Sequence, residues 1–242
     1  MANTSRMPAL NPVSGFFLAI IAVAIVLTIL IAVIPSGLFL ALSNYLQIIA
    51  ALAGALVLLY SWHRTGRQKV LLWAGAGFGI WGIANIGWYA ITFLGFRNLV
   101  FPSVIDIGLI LGLLLIAFAL WTGLTGQKPA PVTIIAILVL SLAVQVGMVL
   151  ISGFSLPAAL ATFFYFVSCG FLIAGGLDIT NSSRPLMVAG TILLGIPHMI
   201  YPLREIYLAN DPILLVIGPV ICAGFSLIVL GLLQSCGPAA EA

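Results

Sequence analysis

The densest set of side chains able to do chemistry lies near residue 200. His198, Tyr201 and Glu205 are spaced so that a helix would place them on one face, and Arg204 adjoins them. Two prolines in the same stretch would free backbone carbonyls and bend that helix. A bent polar helix is typical of a cavity wall. The alternative is that Arg204 and Glu205 mark the water interface while His198 bonds to a neighbouring helix.

A second polar stripe precedes it in the chain. Trp81, Asn85 and Trp88 follow at intervals of four and three residues, which places them on one helical face. Asp106 comes shortly after this stripe, near the start of another apolar run. Both features have a simpler interpretation. Trp88 and the adjacent Tyr89 would form an interfacial aromatic belt, and Asp106 would be a helix-start carboxylate favoured by the helix dipole.

The elements that must position these groups are membrane helices. Of 242 residues, 63% are hydrophobic and only 5% are charged, against about 25% charged in soluble domains. The mean hydropathy is +1.32. Eight spans of about 20 residues would leave no room for a folded aqueous unit of about 100 residues. This excludes a self-contained kinase, cyclase, nucleotide-driven pump or nucleic-acid-binding domain.

Eight apolar runs bounded by polar, proline or glycine residues predict the helices. They are expected at 14–34, 38–62, 70–95, 104–124, 132–151, 157–177, 186–208 and 213–234. Because the connections are short, sequential helices should be antiparallel neighbours in one all-α membrane domain spanning 1–242. Helices three and seven each pass from small residues to an aromatic and polar end, which suggests two four-helix halves.

The basic residues predict the orientation. Six of them lie in the N-terminal tail and the even-numbered loops: Arg6, Arg64, Arg67, Lys69, Lys128 and Arg184. The other two, Arg97 and Arg204, lie on the opposite side. Since basic residues near helix ends stay in the cytoplasm, both termini should be cytoplasmic in a prokaryotic cell (inner) membrane. The two polar stripes, together with Asn44, Gln47 and Gln145, then lie in the outer half, which predicts one outward-facing pocket.

Several classes of function fit this pattern poorly. A channel or transporter needs polar groups at several depths. Haem held by two histidines needs both at one depth, but His63 falls at the inner end of helix two and His198 in the outer half of helix seven. A retinal Schiff base needs an intramembrane lysine, whereas Lys69 and Lys128 lie in loops. The three cysteines have no metal-ligand spacing. We therefore expect neither a cofactor nor a metal.

Residues 81–120 resemble part of a known module. An aromatic-rich helix carrying Asn85 is followed by Pro102, Ser103 and Asp106 and then by a glycine- and leucine-rich helix. This pattern is similar to the eight-helix sensory domains that precede histidine kinase, PAS or diguanylate cyclase domains in archaeal and bacterial signalling proteins. In that family the Asn85 position is often an aspartate. The resemblance implies a membrane receptor that passes a signal onward.

The chain also departs from that family. Ile105 replaces an alanine, and Ile107 and Gly108 replace the aromatic residues that usually follow the aspartate. Family members continue into a linker helix and an output domain, whereas few residues follow Gln234 here. Three explanations stay open: a receptor acting through a separate partner, a shortened form, or a relative with another use.

Three functional classes remain. The favoured one is a membrane sensory module, not an enzyme, that binds a small ligand or lipid in the pocket and signals through a cytoplasmic or membrane partner. The second is a non-catalytic subunit of a larger complex. The third is a small enzyme acting on a lipid head group, with Asp106, His198 and Glu205 as acid and base groups. The predicted ligand-binding residues are Trp81, Asn85, Trp88, Asp106, His198, Tyr201, Arg204 and Glu205.

Two contacts are expected in addition. Asp106 should be hydrogen-bonded to Asn85, His198 or Arg204, because a carboxylate in such a site is partly desolvated. Helices three and four should approach closely through small-residue pairs. These pairs are Gly75 with Gly79 and Gly108 with Gly112.

Overall fold

The computed structural model describes residues 11–34, 36–64, 68–93, 101–124, 128–152, 155–207 and 216–236, and within these ranges the chain is helical without strands. The helices are α1 (Pro12–Val33), α2 (Gly37–Arg64), α3 (Lys69–Phe93), α4 (Val104–Gly123), α5 (Pro131–Ser152), α6 (Leu156–Leu177), α7 (Arg184–Tyr207) and α8 (Ile217–Cys236). Each is long and apolar enough to cross a membrane, which identifies a multi-pass membrane protein. The predicted bounds agree within two residues, except for the start of α8, which the structure gives at Ile217, and the predicted start at 213 lies outside the described residues.

Local signals explain several helix starts. Asn11 caps α1 by accepting a hydrogen bond from the Val13 backbone N–H over 3.1 Å, and Ser155 caps α6 in the same way. Proline occupies the first turn of both helices, where its missing N–H costs nothing. The long apolar runs therefore begin where polar caps and prolines place them.

Six of the helices follow one another around a closed ring. The order is α2, α3, α4, α6, α7 and α8, and α8 packs back against α2. α1 packs on α8 and α2, and α5 packs on α6. These two helices are the least buried of the eight, and leucines, valines and isoleucines cover their outer surfaces. Lipid would solvate those surfaces.

The helix contacts repeat across the two halves of the chain. α2 packs on α8 as α6 packs on α4, and the pair α3 and α4 corresponds to the pair α7 and α8. Both of these pairs cross at facing glycines. A Cβ built on Gly77 would lie 2.7 Å from the Gly112 carbonyl oxygen, and one on Gly190 would lie 3.1 Å from that of Gly224. This repetition supports the interpretation of two four-helix halves.

The glycine prediction was correct for α4 and wrong for α3. Gly108 and Gly112 do face α3, but Gly75 and Gly79 face Ala55 and its neighbours on α2. Gly77 faces Gly112 instead. Since an α-helix has 3.6 residues per turn, a shift of two residues moves a side chain by about 200° to the other side of the helix. α3 therefore uses glycines on two faces to approach both of its neighbours.

The helices run alternately up and down. Residues near the starts of α1, α3 and α7 and near the ends of α2 and α8 line one common cavity. We call this end of the bundle the termini end and the opposite one the distal end. Between them lies a buried aromatic layer in which Phe225 contacts Phe78 and Trp81, with ring centroids 4.8 and 4.6 Å apart. This layer closes the floor of a cavity at the distal end.

Candidate functional site

A cavity of about 150 Å³ opens at the distal end, and we call it the distal pocket. α2, α3, α4, α7 and α8 all contribute to its wall. The lining residues are Leu40, Asn44, Gln47, Trp81, Asn85, Trp88, Tyr89, Leu109, His198, Tyr201, Ile217, Gly218 and Ile221. The polar stripes of α3 and α7 thus face each other across one space.

A buried hydrogen bond joins these two stripes. The indole N–H of Trp81 donates to Nε2 of His198 over 2.9 Å, and both side chains are at least 97% buried. Because an indole nitrogen can only donate, Nε2 of the imidazole must be the acceptor. Nδ1 therefore carries the proton and donates to the Leu194 carbonyl oxygen over 2.7 Å. His198 is thereby fixed as a neutral ring in one tautomer.

Asp106 lies beside this pair with a different set of partners. Its Oδ2 accepts hydrogen bonds from the backbone N–H and the hydroxyl of Ser103, over 2.7 and 2.9 Å. Its Oδ1 accepts one from the hydroxyl of Tyr165 over 2.9 Å. The expected partner Asn85 instead donates to the backbone oxygen of Trp81 over 3.3 Å. The expectation was therefore wrong for Asn85, and His198 also bonds elsewhere, because Ser103 at the helix start and Tyr165 on α6 already pair the carboxylate. The third expected partner, the side chain of Arg204, lies outside the described residues.

Tyr165 connects Asp106 to the histidine. Its ring stacks on the imidazole of His198 at 6.5 Å with an interplanar angle of 25°, and lies 5.8 Å from the ring of Tyr201. Phe101, just before α4, packs against both tyrosines with centroids 6.4 Å away. Asp106 and His198 therefore lie on the same side of the bundle, joined through an aromatic ring and not through a direct hydrogen bond.

Three amide side chains supply the polar part of the pocket wall. Gln47 donates through Nε2 to Oδ1 of Asn44 over 3.1 Å, and Asn85 is held by its bond to Trp81. Gly218 on α8 packs closely on this group, since a Cβ there would lie 2.6 Å from Nε2 of Gln47. Amides offer both donors and acceptors, so this wall suits a partner with both.

Five of the eight predicted site residues line the distal pocket: Trp81, Asn85, Trp88, His198 and Tyr201. Asp106 does not, since its carboxylate faces Ser103 and Tyr165. The side chains of Arg204 and Glu205 lie outside the described residues. Tyr165, which is 0% exposed, was missed because it stands among the phenylalanines of α6 with no polar neighbour to mark it. A tyrosine deep in an apolar helix was the one available signal.

Gln145 is the one polar residue expected beside the pocket, together with Asn44 and Gln47, that lies elsewhere. It lies on α5, the helix that packs on α6, and is 95% buried. Neither Oε1 nor Nε2 has a hydrogen-bond partner within the described ranges. It does not line the distal pocket.

The described residues bring no three His, Cys, Asp or Glu side chains into a group able to hold a metal ion. Cys169, Cys222 and Cys236 are buried as free thiols. The described side chains that line the pocket offer hydrogen bonds and aromatic surfaces. Comparison of the chain with protein-family models, with curated proteins and with solved structures finds no match.

Proposed function

We propose that this protein is a membrane sensory module that binds a small uncharged ligand in the distal pocket and passes a signal to a partner. The observation that carries the proposal is the pocket itself, where amide and aromatic side chains from both halves of the bundle surround one cavity. Binding sites are typically concave and mostly apolar with a few placed polar groups. The resemblance of residues 81–120 to sensory domains supports the same conclusion.

The size and charge of the pocket restrict the ligand. A volume of about 150 Å³ is below the usual range of roughly 300 to 1,000 Å³ for drug-sized ligands, so the ligand has few heavy atoms. Among the described lining residues there is no Asp, Glu, Lys or Arg. Burying an unpaired charge there would be costly, which favours an uncharged molecule. Asn44, Gln47 and Asn85 would satisfy its donors and acceptors.

The position of the pocket provides a route for a signal. A ligand between Asn85 on α3 and Tyr201 on α7 touches both halves of the chain at once. Below it, the bond from Trp81 to His198 and the aromatic layer form a closely packed floor. Binding would therefore shift the helices relative to one another at the distal end, and packed helices transmit such shifts along their length.

Catalysis is the less favoured use of these groups. Both ring nitrogens of His198 and both oxygens of Asp106 are engaged in the hydrogen bonds described above. A general acid or base needs access to the proton it transfers. We therefore assign both residues to holding the pocket in shape.

The test uses the protein in lipid nanodiscs with 2-pyrrolidone, a small uncharged lactam with one donor and one acceptor. Addition of the lactam should change the tryptophan fluorescence saturably, because Trp88 lines the pocket. Trp88→Phe should reduce the change, and Trp81, which also lines the pocket, accounts for the part that remains. The matched control is Trp73→Phe, since Trp73 is partly exposed and packs on Phe118 away from the pocket.

Two further measurements complete this test. Butyrate and pyrrolidinium, the charged probes of similar size, should bind at least tenfold more weakly because none of the described lining residues offers a countercharge. Gly218→Ala should weaken lactam binding, because the added methyl group displaces Gln47. Equal binding of all three probes, or lactam binding that is unaffected by Gly218→Ala, would overturn the proposal.

A further inference from the structure

Two apolar clefts open at the termini end, opposite the distal pocket. The larger cleft has a volume of about 820 Å³ and lies among α1, α2 and α8, reaching Leu71 on α3 and Leu186 on α7. The smaller cleft has a volume of about 510 Å³ and lies among α4, α6 and the segment that leads into α5. The two occupy equivalent places: each lies where the second helix of one half and the chain at the start of its first helix meet the fourth helix of the other half.

Each cleft is apolar inside and polar at its mouth. In the larger cleft Leu18, Leu56 and Leu230 lie one to two turns from the helix ends, whereas Asn11 and Gln234 lie at the ends themselves. The smaller cleft has leucine, alanine and phenylalanine inside and Thr122 and Lys128 at its edge. This is the polarity of an amphiphile with one apolar tail and one polar head.

A cation stands at each mouth. At the larger cleft, Nε of Arg64 donates to the hydroxyl of Tyr60 over 3.1 Å, and the guanidinium lies 5.4 Å from the centre of that ring. Tyr60 lines the cleft, so this contact holds the charge beside the opening. At the smaller cleft, Lys128 is exposed and lines the opening directly.

The described part of the termini end is basic. Its described charged residues are Arg64, Lys69, Lys128 and Arg184 against Asp178. A basic surface at the membrane boundary attracts anionic lipid headgroups. Charge and cleft polarity thus point to the same class of occupant.

We propose that each cleft binds one acyl chain of an anionic phospholipid from the adjoining leaflet, with the lipid phosphate at Arg64 in the larger cleft and at Lys128 in the smaller. The acyl chain packs against the apolar side chains of the cleft, which the separated helix ends leave without a protein neighbour. A guanidinium or ammonium group pairs with the phosphate. In this arrangement the apolar tail of the phospholipid lies in the apolar interior of the cleft and its polar head lies at the polar mouth.

The test is native mass spectrometry of the delipidated protein in neutral detergent, titrated with phosphatidylglycerol or phosphatidylcholine of identical chains. Two phosphatidylglycerol molecules should be retained, each about fivefold more tightly than phosphatidylcholine, the preference expected for one cation near the surface. Arg64→Gln and Lys128→Gln should each remove this preference at one site, and the double variant at both. Lys69→Gln, at an exposed cation that lines neither cleft, should leave both preferences unchanged.

A second variant tests the cleft apart from the charge. Leu230→Trp should narrow the larger cleft beside the acyl chain and weaken retention of the phosphatidylglycerol held there. Leu140→Trp places the same residue on the exposed surface of α5 and should leave that retention unchanged. The lipid still held in the smaller cleft reports that the Leu230 variant is folded. Equal retention of the two lipids, unaffected by Arg64→Gln and Lys128→Gln, would show an ordinary lipid shell and overturn the proposal. Unchanged phosphatidylglycerol retention in Leu230→Trp would do the same.

Discussion

The hydroxyl of Tyr165 donates a hydrogen bond of 2.9 Å to Oδ1 of Asp106 and so ties α6 to α4 across 59 residues of sequence. The other carboxylate oxygen accepts two bonds from Ser103 at the start of α4. There the helix dipole also favours a negative charge. Asp106 is thus a helix-start carboxylate that positions Tyr165, and Tyr165 in turn packs on His198 at the edge of the distal pocket.

Removing the Tyr165 hydroxyl should destabilise the bundle. Tyr165→Phe takes one hydrogen bond from a buried carboxylate, and we expect the free energy of unfolding to fall by about 2 kcal/mol. Unfolding by sodium dodecyl sulfate, followed by circular dichroism, measures it. Tyr60→Phe is the matched control, because its exposed bond to Arg64 should contribute less than about 1 kcal/mol. Similar losses in the two variants would contradict a special role for Tyr165.

Asp106 and His198 should be energetically coupled. Asp106→Ala frees the Tyr165 hydroxyl, and His198→Ala removes the ring on which Tyr165 stacks. Both changes loosen the same tyrosine, so the stability lost in the double variant should be less than the sum of the single losses. The same unfolding assay gives all four values of the cycle. Strict additivity would mean that Tyr165 does not transmit the coupling.

The tautomer of His198 can be observed directly. With Nε2 accepting from Trp81, the ring should be neutral with its proton on Nδ1. Nitrogen NMR of histidine-labelled protein should show the corresponding pair of shifts at neutral pH. His63, which is exposed at the end of α2, serves as an internal reference. A proton on Nε2 of His198 would rule out the bond from Trp81, and Trp81→Phe should alter the His198 signals alone.

Two glycines on one helix should respond oppositely to alanine. In Gly77→Ala the new methyl group would lie 2.7 Å from a carbonyl oxygen of α4, so the helices must separate and stability should fall by about 1 to 3 kcal/mol. In Gly79→Ala it would lie 3.7 Å from Ala55, an ordinary contact, and the melting temperature should stay within error or rise. Gly190→Ala should behave like Gly77→Ala. Equal effects at positions 77 and 79 would contradict the helix packing.

The orientation of the chain remains a prediction from its basic residues. An alkaline phosphatase fusion at Ala242 should be inactive, because the excess of arginine and lysine retains both termini in the cytoplasm. A fusion within the loop after α3 should be active. An active enzyme at Ala242 would reverse the orientation and turn the distal pocket toward the cytoplasm.

Much of the fold was accessible from the sequence. Apolar runs of about 20 residues bounded by prolines and polar caps have few alternatives to membrane helices, because every backbone polar group must be paired within the segment. The two polar stripes were also predictable, since Trp81, Asn85 and Trp88 share a face by helical spacing alone. His198 and Tyr201 likewise share one face of their helix. Five of these residues do line one pocket.

The partners of those residues were decided by the tertiary structure. Helical spacing tells which residues share a face, but not which helix that face meets. The ring order brings α6 beside α4, so Tyr165 and not Asn85 pairs with Asp106, and it turns Gly77 and not Gly79 toward α4. Eight membrane helices and the faces they carry follow from the apolar runs and the helical spacing along the chain. Only the packing of those helices, which depends on contacts between residues far apart in the chain, decided which faces meet and where cavities remain.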